Sequence, residues 1–148
     1  VLAGMLVFSG VGSYSSARHL AHPKRGIQIA CAIIFVWIVL AMIGFDALLF
    51  ATLEWPAAVK SVLILLLIAP LAYALGFPFP LGLYLFRGDR AHFLPWAWSL
   101  NGAFSVISTP LANLLAVSVG YRILLIAALL FYAMVLLTYP VGRSANRL

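Results

Sequence analysis

Charged residues are scarce in this sequence. Only 8% of its 148 residues are charged and three are acidic, whereas 66% are hydrophobic. A water-soluble domain needs more charge than this to cover its surface. The formal net charge of +6 would suit an acidic partner. However, no soluble module carries a basic face, so we expect no nucleic-acid partner.

Cysteine and histidine are too few to build a chemical centre. Cys31 is the single cysteine, so the chain has no internal disulfide and no thiolate metal cluster. His19 and His22 lie in a basic loop beside the helix-breaking Pro23, where we expect them to be solvated. No serine, histidine and acid form an arrangement suited to nucleophilic catalysis. The sequence therefore predicts no catalytic, cofactor-binding or metal-binding residue.

The sequence is rich instead in long, uncharged apolar runs. A helix needs roughly 20 such residues to cross about 30 Å of hydrocarbon. A lone apolar segment in lipid satisfies its backbone groups only as a helix. The predicted fold class is therefore an all-α polytopic transmembrane helix bundle in a lipid bilayer, with about five spans. The predicted spans are Val1–Ser16, Ile27–Leu53, Ala57–Phe86, Leu94–Val119 and Ile123–Val141.

The first predicted span is short. Val1–Ser16 begins without Met and lacks the basic leader and cleavage site of a signal peptide. We therefore expect a truncated span, and we expect residues 1–148 to be a single transmembrane domain from the C-terminal part of a longer protein. The small residues of Ser9–Ser13 favour close contact with another helix.

Basic residues divide unequally between the two ends of the predicted spans. Seven lie in the first and third loops and the C-terminal tail, whereas Lys60 and Arg122 lie at the other end. The positive-inside rule then predicts a bacterial inner-membrane protein with a cytoplasmic C-terminus. The seven are Arg18, Lys24, Arg25, Arg87, Arg90, Arg143 and Arg147.

Prolines interrupt the third and fourth predicted spans. Pro70, Pro78 and Pro80 lie in the third span, and Pro110 lies in the fourth. Each proline lacks an N–H and leaves the carbonyl four residues earlier without its helical donor. We therefore expect both spans to be broken at prolines.

A short charged turn joins the third and fourth spans, so we expect them to be antiparallel neighbours. Gly76, Gly82 and Gly102 would allow the two backbones to approach. The side-chain amide of Asn101 would then donate to a carbonyl near Gly76.

The fourth span carries a polar face. At 100° per residue, its polar side chains gather on one side of the helix together with Ala112 and Ala116. Such a face indicates either helix–helix contact or a polar pocket between the third and fourth spans. The polar residues are Asn101, Ser105, Ser108 and Thr109, with Asn113 at the edge.

Asp46 is the acidic residue that lies inside a predicted span. A carboxylate in hydrocarbon is a functional candidate. Lys60 and Arg122 lie at the same end of the spans, so we expect a structural ion pair with one of them. A proton or cation relay is the alternative.

Three stretches resemble a known family. They are Gly76–Leu83, Pro95–Ile107 and Leu114–Arg122, and the likeness covers roughly Leu63–Tyr132. Together they resemble the membrane region of spermidine synthase-like (polyamine aminopropyltransferase-like) integral membrane proteins. The resemblance implies membrane helices joined to a soluble aminopropyltransferase-like domain, which is absent here, so no family catalytic residue maps onto this chain.

Three functions are consistent with these features. The first is a non-catalytic membrane anchor or accessory subunit that packs against partner proteins in a larger membrane complex. The second is the membrane half of a spermidine synthase-like enzyme, and the third is a small transporter-like element. Transport requires Asp46 to face an aqueous path rather than a basic residue.

Overall fold

A computed structural model describes residues 1–139 of the chain. Within this range, six α-helices are joined by short turns. The helices are α1 (Leu2–Ser16), α2 (Pro23–Ala51), α3 (Ala57–Leu75), α4 (Pro78–Leu83), α5 (Leu94–Ser118) and α6 (Tyr121–Thr138). The C-terminal tail with Arg143 and Arg147, and the end of the fifth predicted span, lie outside the described residues.

Four stretches of the described chain are long and apolar enough to cross a membrane. This confirms the predicted helical membrane bundle, and α1, with 15 residues, lies beside these stretches as a shorter helix. The four stretches are Pro23–Ala51, Ala57–Phe86, Arg90–Ser118 and Tyr121–Thr138.

The third predicted span is divided between α3 and α4. The break lies at Gly76 and Phe77. Pro78 begins α4, and proline suits this position because the N–H of the first helical residue has no acceptor within the helix. The N–H of Phe77 donates to the carbonyl of Ala74 at 3.2 Å. The carbonyl freed by Pro78 therefore has a donor from its own chain, and Asn101 does not supply it.

Two other prolines leave their helices continuous. Pro70 lies inside α3 and Pro110 lies inside α5, and each helix continues across its proline. The predicted break of the fourth span is therefore not a break of the helix. Pro110 still removes one intrahelical donor, which leaves the carbonyl of Val106 without its usual bond.

The closest contact between helices joins α1 to α3 through two glycines. A Cβ atom at Gly12 would overlap the carbonyl of Tyr73, and one at Gly76 would lie 2.6 Å from the backbone nitrogen of Ser13. Two backbones approach this closely only where side chains are missing. The small residues predicted to favour contact in α1 do so, and Gly76 packs against α1 rather than α5.

The centre of the bundle lies on one face of α2. Ile27, Cys31, Ile34 and Ile38 recur at helical spacing and are almost fully buried. They pack against Phe77 and Leu81 of the α3–α4 region and against the inner face of α6. Helix α2 therefore fixes the positions of α4 and α6.

The glycine contact predicts a contrast between two neighbouring substitutions. Gly12→Ala places a methyl group against the Tyr73 carbonyl, so we expect it to lower the free energy of unfolding by about 1–3 kcal/mol. Gly10 is two residues away, and a Cβ there meets nothing within 4 Å. Gly10→Ala should leave stability unchanged or raise it by up to about 1 kcal/mol. Thermal unfolding in detergent measures both, and equal effects would contradict the contact.

Candidate functional site

The hydroxyl groups of the α5 polar face are satisfied within the helix. Ser105 Oγ donates to the carbonyl of Asn101 at 2.7 Å, and Thr109 Oγ1 donates to the carbonyl of Ser105 at 2.9 Å. Ser108 Oγ reaches the same Ser105 carbonyl at 3.4 Å. These bonds are common for serine and threonine within helices. The hydroxyls therefore need no partner from another helix.

Unlike these hydroxyls, the two asparagine amides of α5 are not satisfied within the helix. Both Asn101 and Asn113 are exposed, and neither side chain forms a hydrogen bond to another residue in the range 1–139. An amide carries two donor hydrogens and an acceptor oxygen, which its own helix does not satisfy. The part of α5 that needs an external partner is therefore its amides.

Helix α5 contacts the bundle near its two ends. Ala97 near its start and Ala112, Leu115 and Ala116 near its end are half-buried, whereas every residue of the range 98–111 is exposed. At 100° per residue, Asn101, Ser105 and Ser108 lie on the same side of the helix as Ala97 and Ala112. The polar face is thus directed towards the bundle but lies away from it at mid-height.

The predicted approach of the third and fourth spans through their glycines, with Asn101 bonded near Gly76, is wrong. Helix α5 packs chiefly against α6 and the turn Gly88–Phe93, and a Cβ at Gly82 or Gly102 would meet nothing within 4 Å. The physical reason is that α1 occupies the small-residue face of α3. The short turn before α5 brings the two spans together at one end only, where Phe79 and Trp98 pack edge to face with centroids 4.9 Å apart.

Asp46 lies in a polar cluster between α2 and α6. Arg122 Nη2 lies 2.8 Å from Asp46 Oδ2, and the Tyr121 hydroxyl donates to Asp46 Oδ1 at 2.9 Å. The ring of Phe45 packs against that of Tyr121, with centroids 5.4 Å apart. Both carboxylate oxygens therefore have donors from the first turn of α6, and the side chains of the ion pair are about half exposed.

Of the two predicted partners of Asp46, the structure supplies Arg122. Lys60 Nζ instead donates to the carbonyl of Leu53 at 2.6 Å. That carbonyl follows the end of α2, where a cation favourably meets unsatisfied carbonyl groups. Lys60 therefore helps to close the α2–α3 connection and takes no part in the carboxylate cluster.

Tyr121 is the residue of this cluster that the sequence analysis did not identify. Its position beside Arg122 was the available signal, because adjacent residues in the first turn of a helix can both reach one carboxylate on a neighbouring helix. Gly120, with φ of 101°, directs the chain into that turn. The tight turn thus places both donors at the depth of Asp46.

His19 is not a solvated loop residue. Its ring packs edge to face against Phe77, with centroids 5.5 Å apart, and its Nδ1 atom is buried without a hydrogen-bond partner. His22 is exposed. The described residues contain no group of three histidine, cysteine or acidic side chains that would hold a metal ion. His19 therefore contributes to packing beneath α4.

No family model, curated protein or solved structure matches this chain significantly.

The Asp46 cluster predicts that its two charged residues act together. Asp46→Asn and Arg122→Gln should each lower the thermal unfolding midpoint in detergent, because each leaves the other charge without its partner. The double variant should be no less stable than the worse single variant, since the two changes remove one interaction. Glu54→Gln, at an exposed loop acid, is the control and should have no effect. Additive losses in the double variant would contradict the pairing.

Proposed function

We propose that this chain is a non-catalytic, membrane-embedded anchor or accessory subunit that packs against partner proteins in a larger membrane complex. The observation that supports this most strongly is the pair of exposed amides on α5. A polar group in hydrocarbon without a hydrogen-bond partner costs free energy. A transmembrane helix of a partner protein could lie along the polar face of α5, beside Asn101. It would supply the missing donors and acceptors.

The polar face is better suited to a helix than to a water path. A path across the membrane needs polar lining along its whole length, whereas the face is flanked by Ala97 at one end and Ala112 at the other. Small residues beside amides are typical of contacts between membrane helices. The pairing of Asp46 with Arg122 further disfavours the transporter-like alternative, because the carboxylate is already neutralised.

A longer reading frame would separate this proposal from the enzymatic alternative. A soluble nucleotide-binding domain encoded upstream of Val1 would favour the membrane half of a spermidine synthase-like enzyme. A membrane complex of unrelated subunits would favour the accessory role.

We also propose that the chain lies in a bacterial inner membrane, with the α1–α2 and α4–α5 connections in the cytoplasm. Both connections lie at one end of the bundle, where Arg18, Lys24, Arg25, Arg87 and Arg90 gather. The opposite end holds two basic and two acidic side chains. This imbalance supports the orientation given by the positive-inside rule.

The accessory role predicts that Asn101→Leu weakens partner binding without destabilising the chain itself. Asn101 is exposed, so the change should not lower the unfolding midpoint of the purified protein. Loss of each membrane hydrogen bond to a partner should weaken association by roughly 0.6–2 kcal/mol. The measurement is the yield of subunits that co-purify with tagged protein from native membranes in mild detergent.

The control for this experiment is Val117→Leu, on the same helix at a residue that is 83% exposed. It should leave both the unfolding midpoint and the co-purifying subunits unchanged. A photo-reactive side chain at Ser105 should label a partner, whereas one at Leu114 should not. Equal recovery of partners with Asn101→Leu and Val117→Leu would contradict the proposed surface.

The orientation predicts the accessibility of two single cysteines in a Cys31→Ala background. Ala21→Cys lies in the α1–α2 connection and Ala57→Cys lies at the start of α3, and both positions are exposed. In intact cells, a membrane-impermeant thiol reagent should label position 57 and should label position 21 only after lysis. Labelling of position 21 in intact cells would show that the chain has the opposite orientation in the membrane.

A further inference from the structure

An apolar groove lies between α4, α5 and the end of α6. It has a volume of about 450 Å³, and its walls include Phe79, Phe86, Ala97 and Val135. Apart from the hydroxyls of Tyr132 and Tyr139, the described side chains that line it are apolar. The hydroxyl of Tyr139 donates to the carbonyl of Leu81 at 3.0 Å, which satisfies that polar group. The groove therefore suits a hydrocarbon ligand.

Gly82 of α4 lines the groove and contributes no side chain to it. A Cβ at Gly82 would meet no atom of the described residues within 4 Å, so none of residues 1–139 fills the space beside it. A helix is about 10 Å across, and the groove would hold only about one turn of it. A flexible hydrocarbon chain, by contrast, can follow such a space.

Two basic residues are close in sequence to residues that line the groove. Arg87 directly follows the lining residue Phe86, and its guanidinium carbon lies 4.3 Å from the centre of the Tyr84 ring. Lys24 lies one helical turn before the lining residue Ile27, on the same face of α2. Basic sites between helices at a membrane surface bind anionic lipid headgroups. The cations thus suit the anionic headgroup of a phospholipid, and the adjacent apolar groove suits one of its acyl chains.

We infer that this groove binds one acyl chain of an anionic phospholipid whose phosphate group is held by Arg87. A guanidinium that packs on an aromatic ring keeps its N–H groups available for phosphate oxygens. The Tyr84 ring holds Arg87 beside the last residues of the groove, so that headgroup and chain are bound at adjacent positions. This inference does not depend on the proposed accessory role, because the lipid lies at the basic end of α5 and not at its polar mid-section.

The test compares phosphatidylglycerol with phosphatidylcholine of the same acyl chains. The full chain is purified in a neutral detergent, and the lipid it retains is measured by native mass spectrometry. Each cation near a membrane surface strengthens binding of anionic lipid by about fivefold. We therefore expect phosphatidylglycerol to be retained at least about fivefold better, and Arg87→Gln to reduce that preference about fivefold.

A second variant tests the acyl-chain part of the site. Gly82→Leu places an isobutyl side chain at a groove-lining position where the Cβ meets no described atom within 4 Å, so it should occupy groove volume and reduce retention of both lipids several-fold. Gly102→Leu is the matched control, because it also has free space but lies outside the groove, and it should retain lipid like the original chain. Lys60→Gln, at the opposite end, is the charge control and should keep the preference for phosphatidylglycerol. Unfolding midpoints in detergent establish that the variants are folded.

Several results would overturn the inference. Equal retention of the two lipids would show that the site does not select an anionic headgroup. An unchanged preference in Arg87→Gln would show that Arg87 does not bind the phosphate group. Equal lipid retention by Gly82→Leu and Gly102→Leu would show that the acyl chain does not bind in the groove. Competition by glycerol phosphate as strong as that by intact phosphatidylglycerol would show that the headgroup binds without the chain.

Discussion

The backbone contact between α1 and α3 is the constraint on which the rest of this bundle depends. Membrane helices gain little from hiding apolar surface, because the surrounding lipid is equally apolar, so close packing must hold them together. Gly12 and Gly76 provide it, and no other residue type would fit at either position. Once α1 occupies this face of α3, α5 cannot reach it, and the remaining helices arrange themselves around α2.

The position of α5 follows from this exclusion. It is tied to its neighbours near the turn before it and near the turn after it, and its middle lies free. The same arrangement produces two adjoining but chemically different surfaces. One is the polar mid-section with Asn101, which requires hydrogen-bond partners, and the other is the apolar groove beside Ala97, which requires none. A single displaced helix thus accounts for both.

The sequence was most informative where one property decided the outcome. The length of the apolar runs predicted the membrane helices, and the few charges in them limited the partners of Asp46 to two residues. The arrangement of α5 could not be predicted in this way, because small residues occur on several helices and the sequence does not say which faces meet. Gly76 could pack equally well against α1 or α5. A short turn fixes neighbours at one end only, and Tyr121 became recognisable only when α2 and α6 were placed together.

The two ends of the bundle differ in how much protein they offer to water. The connection between α5 and α6 consists of Val119 and Gly120, and that between α2 and α3 is the short stretch Thr52–Pro56. Both are shorter than the α4–α5 connection at the other end, which spans residues 84–93. A water-soluble molecule approaching from the side of the two short connections meets lipid and a few backbone turns. Within the described residues, soluble proteins, proteases and antibodies therefore have most access at the other end, on the α1–α2 and α4–α5 connections.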